Sequence, residues 1–158
     1  KGTLTIVFAR FLDLDLLVQV WMGLAAIVGH NWSAYLRLMG GRGIATSLGV
    51  VLGLGLLWEL PVWVAFITFG WFARRDTALW VLVGSVILPF ISAARGQPTE
   101  IVWMLSVAVM IIVVKRAMAN WEPPQSDRIG RVRVFANRIL WDRDDSIKEN
   151  WTMRRPVP

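Results

Sequence analysis

The apolar positions of this chain come in long runs parted by short polar breaks, and the run lengths predict membrane-crossing helices. Lys1 to Leu12 reads as an apolar helical piece too short to cross alone, ended by Leu12-Asp13-Leu14-Asp15. Leu16 to Val28 is the next run, Thr77 to Ile91 another, and Glu100 or Ile101 to Val114 the last before Lys115-Arg116. Ser92 to Pro98 is the loop between these last two. Gly43 to Ala73 gives 31 residues with a single charge, Glu59. As one straight helix that stretch reaches roughly 46 Å at ~1.5 Å per residue, against a hydrocarbon core of ~30 Å. It is therefore read as two spans. Trp58-Glu59-Leu60-Pro61 marks the division, because proline favours a helix start and disfavours helical geometry in the residue ahead of it. Several runs hold about 15 residues against the ~20 of a perpendicular crossing, a deficit that bilayer thinning and interfacial tryptophans absorb. The expected architecture is all-α, a polytopic membrane helical protein of about five spans plus a partial N-terminal helix. The chain opens at Lys1 without an initiator methionine and its first helix begins part-way, so upstream residues are expected.

The split between 43 and 73 is tested by where the basic residues fall. With two spans there, Lys1, Arg37, Arg42, Arg74, Arg75, Lys115 and Arg116 share one side and only Arg10 and Arg95 lie opposite. Merging the spans leaves the basic residues almost evenly divided, which violates the positive-inside rule. The stretch 29–42 and the C-terminus are accordingly expected in the cytoplasm, and the protein in the inner (plasma) membrane.

Composition agrees with this picture. Hydrophobic residues make up 56% of the chain and charged residues 18%, with a mean hydropathy of +0.53. The net charge of +6 invites a nucleic-acid reading, but the charges sit in short loops between apolar runs and in the tail, so no nucleic-acid partner is expected. With no cysteine there are no disulfides or thiolate metal sites, and one histidine excludes a histidine-rich metal site. From Trp121 onward the chain changes character. Residues 123–158 carry eight Lys+Arg and five Asp+Glu and form a basic cytoplasmic tail behind a membrane domain at 1–122. A short amphipathic helix is read in 131–141, with Val132, Phe135 and Ile139 apolar, lying on an anionic membrane face.

Candidate chemistry concentrates in one stretch, Gly29 to Ser47, where glycines, a histidine, hydroxyls and two arginines crowd together between apolar runs. Singly, each has a plain structural role: Gly40, Gly41 and Gly43 as turn or packing glycines, Arg37 and Arg42 reaching to headgroups, His30 satisfied at a helix end, Thr46 and Ser47 bonded to their own backbone. Together, a Gly-Gly-Arg-Gly turn feeding a helix start is a device for holding an anion, since free N–H groups and a fixed cation both favour phosphate or carboxylate.

Gly29-His30-Asn31-Trp32-Ser33, followed by Arg37-Leu38-Met39-Gly40-Gly41-Arg42-Gly43-Ile44-Ala45-Thr46-Ser47-Leu48-Gly49, resembles the second signature of the bacterial acyl-phosphate:glycerol-3-phosphate acyltransferases of the PlsY type. That signature has Gly-His, an aromatic-rich linker and Gly-Gly-Lys-Gly-Val-Ala-Thr, here with Arg42 for the lysine. Lys1-Gly2 matches the lysine-glycine that enters the preceding helix, and the order of spans agrees from Lys1 to Glu122. The family's first signature would lie ahead of Lys1. Of its third, the basic pair Lys115-Arg116 and Glu122 are kept, while Met110 and Val113 stand where a histidine and an asparagine are usual, with Asn120 as a substitute polar group.

The resemblance implies transfer of a fatty acyl group from acyl phosphate to the sn-1 hydroxyl of glycerol 3-phosphate, giving lysophosphatidate and inorganic phosphate within phospholipid synthesis. It implies catalytic roles for His30 and Arg42, phosphate binding by Arg37, Gly40, Gly41, Gly43, Thr46, Ser47, Lys115 and Arg116, and site support from Asn120 and Glu122. Acyl phosphate is an activated mixed anhydride, so neither a covalent nucleophile nor a cofactor is called for, and the remaining partner is membrane lipid. The hydroxyl proton passes to His30 or to a substrate phosphate oxygen. Met110 and Val113 motivate a second reading, a catalytically silent relative serving as a structural subunit of a membrane assembly. A small anion transporter is a third, opposed by the lack of charge within the spans.

Overall fold

The computed structural model describes residues 1–74, 77–119 and 130–144, and every regular element among them is helical. The helices are α1 (Gly2–Phe11), α2 (Leu16–Asn31), α3 (Ile44–Gly53), α4 (Glu59–Phe69), α5 (Thr77–Ala94), α6 (Thr99–Met118) and α7 (Arg131–Trp141). A short 3-10 turn covers Ala34–Leu36, and a π turn at Gly70–Arg74 continues α4. The 43–73 run is divided, as the proline requires: α3 stops at Gly53, Gly55 turns the chain with a φ of +72°, and Pro61 falls in the first turn of α4, where its missing N–H costs no helical hydrogen bond. The loop expected to begin at Ser92 starts later. α5 continues past Pro89 through Ser92 to Ala94, and the Arg95 N–H still donates to the Ile91 carbonyl (3.0 Å).

Helices α1 to α6 alternate in direction, as the contacts of Gly2 with Thr46, Ser92 with Glu59 and Arg116 with Ala78 require. α1 packs on α2 and α3, α2 on α6, α4 on α5, and α5 on α6. Small residues let α1 and α3 approach closely: a side chain at Gly2 would meet the Thr46 carbonyl, and one at Gly53 would meet Ile6. The core joins Ile6, Val20, Ile27, Val50, Trp63, Leu88, Met104 and Leu105. Outward, the bundle shows water a surface no soluble domain tolerates, with Phe11 83% exposed, Phe72 79%, Leu4 74% and Phe90 71%. Two helices, α5 and α6, are long and apolar enough to cross a membrane, with mean hydropathies of 2.0 and 2.1, whereas α1, α3 and α4 are apolar but shorter.

The alternation gathers Lys1, the 32–43 loop, the π turn, Lys115-Arg116 and α7 at one end, and the turns after α1, α3 and α5 at the other. At that far end Arg10 donates to the Leu54 carbonyl (2.8 Å), Arg95 stacks on Trp58 (4.7 Å), and Ser92 donates to the buried Glu59 carboxylate (2.7 Å).

Candidate active site at the basic end

The 32–43 loop closes on the end of the helix it leaves. Gly40 N–H donates to the Asn31 carbonyl (3.1 Å) and Gly41 N–H to the His30 carbonyl (3.2 Å), so the glycine turn is laid across the last turn of α2. That approach needs residues without a Cβ: one at Gly40 would lie 2.1 Å from the His30 carbonyl oxygen, and one at Gly41 would lie 2.3 Å from His30 Nε2. Gly43 adopts a φ of +76° as the residue before α3, and its Cα faces the Asn31 amide. No side chain caps α3, so the N–H groups of its first turn point out of the helix beside Arg42.

Helix α6 holds this loop in place. Lys115, fully buried, donates from Nζ to the Asn31 carbonyl and lies 5.3 Å from the centre of the Trp32 ring. Arg42 Nη1 donates to the Lys115 carbonyl (3.5 Å) and pairs with Asp142 Oδ1 (3.2 Å). Arg116 is equally buried but spends its guanidinium on two backbone carbonyls, Ala78 of α5 and Ile139 of α7, each at 2.9 Å. Burial raises the Asp142 carboxyl above its ordinary range, and the nearby Arg42 and Arg116 charges pull it back only in part.

Of the residues named from the sequence, the structure brings His30, Gly40, Gly41, Arg42, Gly43 and Lys115 together. Thr46 and Ser47 are buried in the first turn of α3, the Thr46 carbonyl against α1. Arg37 is exposed, with a φ of +49°, and has no ion pair among the described residues. Met110 is 63% exposed and looks out of the bundle. Asn120 and Glu122 lie outside the described residues.

Two members were not singled out by sequence. Asn31 is fully buried, yet neither its Oδ1 nor its Nδ2 has a hydrogen-bond partner among the described residues, a state that native structures rarely leave unexplained. Its place beside His30 was the available signal. Asp142 offered none, since its partner Arg42 is far away in sequence. The tail helix has the expected bounds, but it packs on α5 and α6 through Val134, Asn137 and Arg138, leaving Val132 and Phe135 exposed.

The chain's likeness to known proteins is consistent with this site. The family model described as glycerol-3-phosphate acyltransferase matches residues 1–122. Glycerol-3-phosphate acyltransferase 4 of Dehalococcoides mccartyi (strain CBDB1) is 33% identical over 160 residues, covering 98% of this chain and 68% of that protein. The enzyme of Coxiella burnetii (strain Dugway 5J108-111) is 30% identical over 133 residues, covering 82% of this chain and 64% of its own. The fold is similar to that of PlsY, an integral membrane glycerol 3-phosphate acyltransferase solved in a lysophosphatidic acid form, at a TM-score of 0.61 and 24% identity over 73% of this chain and 59% of that one. The chain therefore spans roughly two thirds of the length of these relatives. With the family matched along residues 1–122, the chain belongs to the glycerol-3-phosphate acyltransferases of the PlsY type.

Proposed function

We propose that the chain transfers a fatty acyl group from acyl phosphate to glycerol 3-phosphate, as an integral protein of the inner membrane with its basic end in the cytoplasm. Residues 1–122 form the acyltransferase unit, of about five spans, and 123–158 its basic tail. The observation that carries this reading is the joint placement of Arg42, the uncapped start of α3 and the His30 ring of α2 around one loop. A phosphate set against Arg42 and the first N–H groups of α3 meets a fixed cation and a positive helix end. In a related PlsY structure the bound molecule is glycerol 3-phosphate, which presents such a group.

The hydroxyl oxygen attacks the acyl carbonyl carbon, the carbonyl-to-phosphate oxygen bond breaks, and inorganic phosphate leaves with the electron pair. Charge develops on the carbonyl oxygen and the leaving phosphate, where Arg42 and the loop N–H groups stabilise it without reorganising. His30, held at the Gly41 surface, takes the hydroxyl proton. Lys115 adds positive charge to the site while anchoring Asn31, whose unpartnered amide supplies donors and an acceptor for the substrate.

The test is phosphate release from acyl phosphate that depends on glycerol 3-phosphate, measured on the membrane-embedded protein with its upstream residues restored. Arg42→Ala is expected to lower kcat/KM by at least ~10²-fold while the protein stays folded in the membrane. Unchanged turnover in that variant overturns the phosphate role of Arg42.

A further inference from the structure

We infer that Asp142, in the tail beyond the stretch the family model matches, is a positioning residue of the active site that aims the Arg42 guanidinium at substrate phosphate. This rests on the reading of Arg42 as the phosphate-binding cation. The geometry separates an aiming role from a blocking one. Both described contacts of Arg42 fall on the same nitrogen, Nη1: a hydrogen bond to the Lys115 carbonyl at 3.5 Å and an ion pair with Asp142 Oδ1 at 3.2 Å, a charge contact in which that oxygen accepts no hydrogen bond. The Nε–Nη2 edge, which can meet two phosphate oxygens in parallel, has no protein partner among the described residues. A carboxylate that plugged the site would take that fork; this one holds the opposite corner.

The carboxylate is itself placed by several fixed contacts. Asp142 ends α7 in the left-handed region, with φ 58° and ψ 31°, and its N–H donates to the Arg138 carbonyl (3.0 Å). Arg138, buried, grips the Asp144 carboxylate through Nε (2.5 Å) and Nη2 (3.2 Å), and Asn137 donates to the Asp144 carbonyl (3.0 Å). Arg116 ties the same helix to α5 through Ile139 and Ala78. The turn 142–144 is thus fixed at both sides of the residue that meets Arg42. Aspartate tolerates the left-handed conformation that this helix end takes, so the backbone holds the carboxylate in place at little cost.

The experiment is acyl-transfer kinetics on the full chain in membranes, with glycerol 3-phosphate varied, for Asp142→Ala, Asp142→Asn and Asp142→Glu beside Arg42→Ala. Trypsin cleavage at the exposed Arg131 and Arg133 reports whether α7 stays docked. Asp142→Ala and Asp142→Asn are expected to raise KM for glycerol 3-phosphate about five- to tenfold, the size of a partly exposed ion pair lost, with a smaller fall in kcat because Arg42 itself stays in the site. Asp142→Glu is expected to restore most of the affinity. Asp142→Asn is expected to keep α7 as resistant to trypsin as the parent, so its raised KM is not the loss of a helix. A KM that falls marks a competing plug, a KM that holds marks a surface contact, and a KM that rises only together with trypsin cleavage in Asp142→Asn marks a structural role; each overturns the inference. If Arg42→Ala keeps full activity, the phosphate reading itself fails; if it loses activity while the Asp142 variants keep their KM, only the inference does.

Discussion

Gly41 shows how one missing side chain sets the chemistry of the loop. Its backbone hydrogen-bonds to His30, and the space where a Cβ would sit is already filled by the His30 ring, 2.3 Å from Nε2. The family resemblance implied phosphate binding by these glycines; the nearest neighbour of Gly41 is the proposed base. Gly41→Ala is therefore expected to push the imidazole from its place. Its kcat falls by about 10²-fold, the contribution of a positioned general base, with a smaller change in KM for glycerol 3-phosphate. Steady-state kinetics separates the two, since a pure rise in KM with unchanged kcat returns the glycine to ligand contact. Gly43 differs in kind. It pairs a φ of +76° with the Asn31 amide at its Cα, so any side chain there strains the backbone before α3 and displaces the buried amide at once.

The helices were legible to different degrees, and α7 shows why. Its bounds follow from the 131–141 pattern, but the buried face does not. Val134 turns inward with Asn137 and Arg138, whose polar groups are met by Asp144, while Val132 stays 85% exposed. Hydrophobic periodicity assigns an arginine to solvent by default, and Arg138 is buried because the turn after the helix brings the Asp144 carboxylate back onto it. Arg116 is the staple of this arrangement, one guanidinium fork holding carbonyls of α5 and α7. Lysine cannot reproduce that fork. Arg116→Lys is expected to weaken the docking of α7 by about 2 kcal/mol, one charge-assisted hydrogen bond. Faster trypsin cleavage at Arg131 and Arg133 is the measurement, and an unchanged rate removes Arg116 from this role. The pH dependence has a definite sign. The docked Asp142 carboxyl titrates above its ordinary value because burial disfavours its charge, so its contribution to docking is full below that ordinary value and is lost as pH rises through the raised one. Docking therefore weakens as the carboxyl loses its proton, and Asp142→Asn, which cannot ionise, is expected to remain docked.

At the scale of the whole molecule, the division of the 43–73 run decides which residues can meet. Had it been one helix, Lys115 would lie at the opposite end from Asn31; as two, the buried ammonium donates to the Asn31 carbonyl and the basic residues gather on one end. Pro61 and the lopsided distribution of Lys and Arg made that division readable from sequence, because both are consequences of local backbone geometry and of insertion energetics. The pairing of Arg42 with Asp142 was not readable, because nothing local in either segment records a contact that only the packing of α7 on α5 and α6 creates. Arg10 and Arg95 give the complementary check, since both settle on the 54–58 turn at the far end. The proposed orientation of these ends across the membrane rests on the same charge bias, and a chain without cysteine lets single labels test it. Tyr35 is 99% exposed in the basic-end loop, and Thr99 is exposed where α6 begins at the other end. In intact cells a membrane-impermeant maleimide is expected to label Thr99→Cys and to leave Tyr35→Cys untouched until the membrane is opened. The reverse pattern places the phosphate site outside the cell, away from any cytoplasmic supply of phosphorylated substrate, and the proposed reaction falls with it.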